Sequence, residues 1–137
     1  MTVDLVVAPV GAVVAERAFD AVTSEDLARY AVASGDTNPL HLDPAFARKA
    51  GFPDVIVHGM LTMALLGRLV TESFPARRVL GFSARFGAPL GVGEAVTCRA
   101  RLGGRDARGT ALELEAAAGD RVVLSGRALL APDATHG

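Results

Sequence analysis

The run Met60–Ser73, MLTMALLGRLVTES, has helical spacing but no polar face, with Met60, Leu61, Met63, Ala64, Leu65, Leu66, Leu69 and Val70 distributed around the cylinder. A helix of this kind is stable when protein surrounds it. A membrane is not the expected surrounding: the apolar run Val55–Val70 contains His58 and Arg68 and is shorter than the roughly 20 residues a spanning helix needs. The rest of the chain must therefore cover this helix. Gly67 costs about 1 kcal/mol relative to Ala in mid-helix, which predicts that another backbone comes close there.

The flanking sequence supplies strands. A β-branched run, Val13–Phe19, follows the turn residues Pro9-Val10-Gly11, and Val79–Phe86 is a second strand-like run. From Ala95 to Leu102, Val96, Cys98, Ala100 and Leu102 alternate with Thr97, Arg99 and Arg101, so one face is buried and the other wet. The stretch Gly103–Gly109 reads as a turn, after which Leu112, Leu114 and Ala116 face inward and Glu113 and Glu115 outward. Arginines facing glutamates would support that hairpin. Gly119-Asp120 is a two-residue turn into a last strand, Arg121–Leu130. The pattern predicts one α+β domain over residues 1–137, an antiparallel sheet curling around one long apolar helix.

Between the first strand and that helix lies a helical excursion. Thr23 or Ser24 caps a helix with Glu25 and Asp26 in its first turn and Leu27, Tyr30 and Ala31 on one face, ended by Gly35 in the left-handed conformation. Asn38 precedes Pro39 and is biased away from helix, so the chain turns sharply between Asp36 and His41 and brings those two side chains together. Asp43-Pro44 opens a short helix, Ala45–Ala50, closed by Gly51. Val55-Ile56-Val57 then leads to His58-Gly59 at the start of the apolar helix. Asp36 and Asn38 also suit a structural role, because such side chains commonly bond their own backbone two residues on.

Charge and cysteine usage narrow the function. A net charge of -1, with 14 basic and 15 acidic residues scattered along the chain, offers no stripe for a nucleic acid. Cys98 stands alone, which excludes an internal disulfide and a cysteine metal cluster; it reads as a small buried hydrophobe in a protein of the reducing cytoplasm. The apolar N-terminus lacks a basic segment and meets Asp4 early, so no export signal is read there, and the tail from Pro132, with His136, is expected to fray.

The string Ser34-Gly35-Asp36-Thr37-Asn38-Pro39-Leu40-His41, followed by an apolar segment ending in His58-Gly59-Met60, resembles the signature of the MaoC-like, or hydratase 2, family of hot-dog-fold enzymes. Arg85-Phe86-Gly87-Ala88-Pro89-Leu90 with Gly91-Val92-Gly93-Glu94 is similar to that family's later strand and turn. Within the family, the His58–Met63 wording looks most like the B-type subunit of actinobacterial 3-hydroxyacyl-carrier dehydratases. The resemblance implies an (R)-specific hydratase of 2-enoyl thioesters, or the reverse dehydratase, needing no cofactor and no metal. Asp36 and His41 would be the catalytic pair, Asn38 would orient water, and the Gly59 N–H would receive the thioester oxygen.

This chemistry needs a base for water, an acid for C2 and a donor where negative charge gathers on the thioester oxygen. Met60 and Met63 are core residues that could also line an acyl tunnel, and His58 either fixes the turn before Gly59 or meets substrate. Arg48, Lys49, Arg77, Arg78 and Arg85 could meet the phosphates of coenzyme A or an acyl carrier protein, although scattered cations are usually solvated surface. The alternatives are a hot-dog acyl thioesterase and a non-catalytic acyl-binding subunit. A homodimer or a heterodimer with a related hot-dog subunit is expected, since one chain has too few strands to surround its helix.

Overall fold

Alternation builds the sheet. In a computed structural model, which describes residues 4–132, Val96, Cys98, Ala100 and Leu102 are all buried, as are Leu112, Leu114 and Ala116 on the next strand. The strands are β1 (Val13–Phe19), β2 (Val79–Phe86), β3 (Val96–Asp106), β4 (Gly109–Ala118) and β5 (Arg121–Leu130). They form one antiparallel sheet in the order β1-β3-β4-β5-β2. Of the tail expected to fray from Pro132, residues 133–137, with His136, lie outside the described residues.

On the wet face the expected Arg–Glu pairing broadens into a chain of ion pairs across four strands. Arg99 and Arg101 each stand 3.8 Å from Glu115, Arg99 Nε reaches Glu16 of β1 at 2.5 Å, and Glu113 takes Arg127 of β5 at 2.5 Å.

The β3–β4 hairpin departs from the sequence-based expectation. Its turn is Ala107-Arg108 alone, because β3 runs on to Asp106 and β4 resumes at Gly109. The glycines taken for a long turn serve the strands instead. Gly104, with φ 157°, sits where the register shifts between Leu102 and Gly104, and a β-bulge there absorbs one residue without ending the ladder. Asp106 closes the short turn by accepting the Arg108 N–H at 2.8 Å.

Helix α1 (Ser24–Ser34) begins at Thr23, where a reciprocal cap forms: Asp26 N–H donates to Thr23 Oγ1 at 3.1 Å and Thr23 N–H donates to Asp26 Oδ2 at 2.9 Å. Those bonds hold the Asp26 carboxyl below its usual range. Gly35 ends the helix at φ 79°. After α2 (Pro44–Lys49), the long helix α3 (Gly59–Ser73) lies across one face of the sheet, burying Thr62, Leu66, Leu69 and Val70. Burial of each large apolar side chain contributes about 1.5–3 kcal/mol. Gly126 of β5 allows this close seat, since a Cβ there would meet Leu66 Cδ2 at 3.4 Å and the Ser83 carbonyl at 2.7 Å.

One chain covers only part of α3, leaving Met60 56% exposed and Ala64 exposed. Within this chain the neighbour at Gly67 is a side chain: a Cβ would lie 3.7 Å from the Phe82 ring, an ordinary contact. Arg17 of β1 pairs with Glu72 in the last turn of α3, which also receives Arg68 Nε at 2.6 Å. Among the described residues no helix is long and apolar enough to cross a membrane.

Candidate active site

Beyond Gly35 the backbone is held by a ladder of side-chain acceptors. Ser34 Oγ accepts from Asp36 N at 3.1 Å, Asp36 Oδ1 from Asn38 N at 3.2 Å, and Asn38 Oδ1 from Leu40 N at 3.0 Å. Each bond closes a two-residue step of the kind Asx side chains favour. Pro39 then starts a 3-10 turn that ends at His41. The structural and chemical roles of Asp36 are therefore compatible, because one carboxylate oxygen serves the turn and the other, Oδ2, stands 3.8 Å from His41 Nε2.

His41 is oriented from a different element. Its Nδ1 lies 2.8 Å from the Ile56 carbonyl, an acceptor only, so Nδ1 carries the hydrogen and neutral His41 presents a lone pair at Nε2. Ile56 is itself clamped: its N–H donates to the Leu40 carbonyl at 3.1 Å, while Val57 N–H reaches the Leu90 carbonyl at 2.8 Å and Val92 N–H the Val55 carbonyl at 3.1 Å. The extended lead-in to α3 thus serves as a rigid mount for the imidazole.

His58 caps α3, its carbonyl accepting from Leu61 N at 3.0 Å and Thr62 N at 3.2 Å. Among the described residues the Gly59 and Met60 amides have no intramolecular partner, as expected for the first turn of a helix. Gly59 and His41 line one cavity of about 240 Å³, with Ile56, Thr62, Phe86 and Leu90 among its other walls. The His58 ring is buried, stacks on His41 at 3.9 Å between centroids, and places Nε2 3.1 Å from the Asp36 carbonyl.

The structure thus brings together Asp36, His41, His58 and Gly59, with Asn38 exposed in the turn between the first two. Met60 and Met63 do not line the cavity; Met60 is exposed and Met63 packs partly buried against the core. Arg48, Lys49, Arg77 and Arg85 are exposed and dispersed, and Arg78 is engaged with the Ala131 carbonyl at 2.9 Å. Asp36, His41 and His58 hold ligand-type atoms within 4.8 Å of one another. The two imidazoles are stacked with their planes inclined by 22°, and one nitrogen of each, His41 Nδ1 and His58 Nε2, is already engaged by a backbone carbonyl.

Sequence reasoning passed over two walls of the cavity. Thr62 is buried in the cavity wall, and a lone hydroxyl in the first turn of an otherwise apolar helix is the signal the sequence offers for it. Phe86 was read as part of a strand; nothing local to it announces that its ring lies over Gly59, where a Cβ would come within 2.9 Å of Cε1.

Known proteins resemble this chain in both sequence and fold. The model of the MaoC like domain matches residues 6–120. A mitochondrial 3-hydroxyacyl-[acyl-carrier-protein] dehydratase of Arabidopsis thaliana is 42% identical over 74 residues, 54% of this chain and 45% of the relative. The (R)-specific enoyl-CoA hydratase of Aeromonas caviae is 42% identical over 79 residues, 56% of this chain and 59% of the relative. The chain spans about half the length of these curated relatives. Over the whole fold, the solved (R)-hydratase from A. caviae involved in PHA biosynthesis superposes with a TM-score of 0.79 at 31% identity, covering 93% of this chain and 98% of that one. With its curved five-stranded sheet packed on one long helix and this match over most of its length, the chain has the hot-dog fold and belongs to the MaoC-like family.

Proposed function

We propose that the chain is an (R)-specific hydratase of 2-enoyl thioesters, and in reverse a 3-hydroxyacyl thioester dehydratase, acting on acyl groups carried by coenzyme A or acyl carrier protein. The observation that carries this reading is the convergence of His41 and Gly59 on one cavity, with Asp36 Oδ2 3.8 Å from His41 Nε2. Relatives named as an (R)-specific enoyl-CoA hydratase and a 3-hydroxyacyl-[acyl-carrier-protein] dehydratase support the substrate class and the stereochemistry.

In this mechanism the thioester oxygen meets the Gly59 N–H at the positive end of α3. A separation of 3.8 Å is too long for a direct hydrogen bond between Asp36 and His41, yet one water oxygen can lie within about 2.8 Å of both. As that oxygen attacks C3, an O–H bond breaks and its proton passes to His41 Nε2. The C2=C3 electron pair moves onto the thioester oxygen, where the amide holds the charge. The imidazolium, facing the Asp36 carboxylate, returns its proton to C2 and yields the 3-hydroxyacyl thioester. Asn38, whose carbonyl oxygen is committed to Leu40 N, has its NH₂ group left to orient the water.

The test is loss of the enoyl absorbance of crotonyl-CoA and longer 2-enoyl-CoAs with purified protein, followed by chiral analysis. The expected product is the (R)-3-hydroxyacyl thioester. Release of free thiol at equal rates from saturated and unsaturated substrates would replace this reading with a thioesterase. Activity that appears only when a related subunit is co-expressed, and survives loss of His41, would make this chain the non-catalytic partner.

A further inference from the structure

We infer that His58 is a positioning residue: its Nε2–H holds the Asp36 backbone while its ring face sets the plane of His41. This deepens the reading of Asp36 and His41 as the water-handling pair and rests on it.

Packing alone does not account for an imidazole at this position. His58 is 1% exposed, and its Nδ1 has no hydrogen-bond partner among the described residues. A buried polar atom without a partner is unfavourable, and an apolar ring would fill the space without that cost. What the imidazole adds is one N–H, 3.1 Å from the Asp36 carbonyl across a sequence separation of 22 residues. That carbonyl belongs to the residue whose side chain faces His41, so the bond fixes Asp36 from its main chain while the Asn38 amide fixes it from Oδ1.

The ring face has a second role. His41 is tethered at a single atom, Nδ1, to the Ile56 carbonyl. One hydrogen bond fixes that atom's position but leaves the ring free to tilt about it, and a tilt swings Nε2 away from Asp36. The His58 ring lies against His41 at 3.9 Å and 22°, and the Tyr30 ring braces His58 from another side at 4.8 Å and 64°. Tyr30 on α1, His58 at the head of α3 and His41 in the turn between α1 and α2 thus form one aromatic cluster, with Tyr30 edge-on to His58 and His58 stacked on His41. Because His58 also precedes Gly59, one residue ties together both members of the pair and the amide that would receive the thioester oxygen.

Two substitutions separate the roles. His58→Gln retains an N–H that can reach the Asp36 carbonyl but loses the ring; His58→Phe retains the ring face but loses the donor. Each is expected to fold, by circular dichroism and thermal melting, and to lower kcat by roughly 10- to 10²-fold, the scale set by a misplaced reacting group, while KM shifts far less. Nitrogen-detected NMR of the His41 ring supplies a readout independent of turnover. The native protein and His58→Phe should show a rigid His41 ring, whereas His58→Gln should show increased motion of the ring about the retained Nδ1–H bond to the Ile56 carbonyl. Near-native turnover in both folded variants, or an unchanged His41 signature in His58→Gln, overturns the inference. Should one variant fail to fold, the other decides by the same criteria. Asp36→Asn and His41→Ala run in the same assay isolate the parent reading: if they keep full activity that reading fails, and the His41 spectrum still decides the role of His58.

Discussion

The ring of Phe86 lies over Gly59, so that a Cβ added to the glycine would come 2.9 Å from Phe86 Cε1 and 3.1 Å from Cδ1. Both residues line the cavity that His41 enters, so a side chain at position 59 would intrude on the place where the thioester oxygen is proposed to sit. Phe86 is 53% exposed and can swing aside, which makes the substitution tolerable for the fold. Gly59→Val is therefore expected to stay folded and lose most of its hydration activity. A fully active Gly59→Val protein would remove this amide from the mechanism, and recovery in a Gly59→Val, Phe86→Ala double variant would trace the loss to the ring.

Asp36→Asn and His41→Ala should each lower turnover by about 10² to 10⁴, the range for losing a positioned acid or base. Their stability effects should differ. Asparagine keeps an oxygen for the Asn38 N–H, so Asp36→Asn should melt close to the native protein. His41→Ala strips the Ile56 carbonyl of its donor and should cost about 1 kcal/mol, the usual net worth of such a bond. Steady-state kinetics with a thermal melt checks both, and near-native turnover in either variant would remove that residue from its role.

Features set by neighbours in sequence were legible before the fold was known. The helix start at Thr23 or Ser24, the left-handed Gly35, the Asp43-Pro44 start of α2 and the alternation Val96–Leu102 all depend on residues a few positions apart. The turn at Asn38-Pro39 likewise announced that Asp36 and His41 would meet, and they do, at 3.8 Å. What stayed hidden depends on distant pairs. The His41 tether to Ile56 spans 15 residues and the His58 bond to Asp36 spans 22, and no local pattern encodes either. The long turn read across Gly103–Gly109 failed for a related reason, since a bulge at Gly104 is decided by the partner strand and not by the glycines themselves.

Gly109 is a site where substitution should abolish folding. Its φ of 137° disfavours any side chain, and a Cβ there would lie 1.9 Å from the Leu130 carbonyl oxygen, a backbone atom of β5 that cannot yield cheaply. Gly109→Ala is expected to cost roughly 3 kcal/mol or more, in the severe tail of single substitutions, and to yield mostly insoluble protein. Gly11→Ala, also at positive φ but with nothing within 4 Å of its Cβ, serves as the milder control. Equal soluble yield and melting temperature for the two would contradict this.

Burial pushes the Cys98 thiol up from 9.0 to about 12. The sign follows from the neutral form being the one that folding favours. Its contribution is present in full below pH 9.0 and is lost as pH rises toward about 12, where the unfolded chain gains the thiolate and the folded chain does not. Native protein should resist alkylation at neutral pH and react once unfolded in urea. Cys98→Ala should lose less stability than the native chain across the alkaline window. Rapid labelling of the native thiol at neutral pH would show that the strand β3 face is open.

The last prediction concerns the edge formed by β2. Sheet order places β2 at one margin, hydrogen-bonded to β5 alone, with Leu80 59% and Phe86 53% exposed. An open apolar edge of this kind is a liability unless something pairs with it. Beside it, α3 leaves Met60 exposed, and a shallow cavity of about 380 Å³ runs between Ala64, Gly67, Val79 and Phe82. A second hot-dog subunit placed edge to edge would cover the strand and lay the two long helices side by side. Phe86, at the end of that edge and over Gly59, links such pairing to the proposed site. Light scattering on the purified chain should therefore report a dimer, and Leu80→Glu, which sets like charges along the shared edge, should weaken association and activity together. A stable, fully active monomer would overturn this expectation. An inactive lone chain rescued by a co-expressed related subunit, with activity still dependent on His41, would instead identify the partner as a different hot-dog chain.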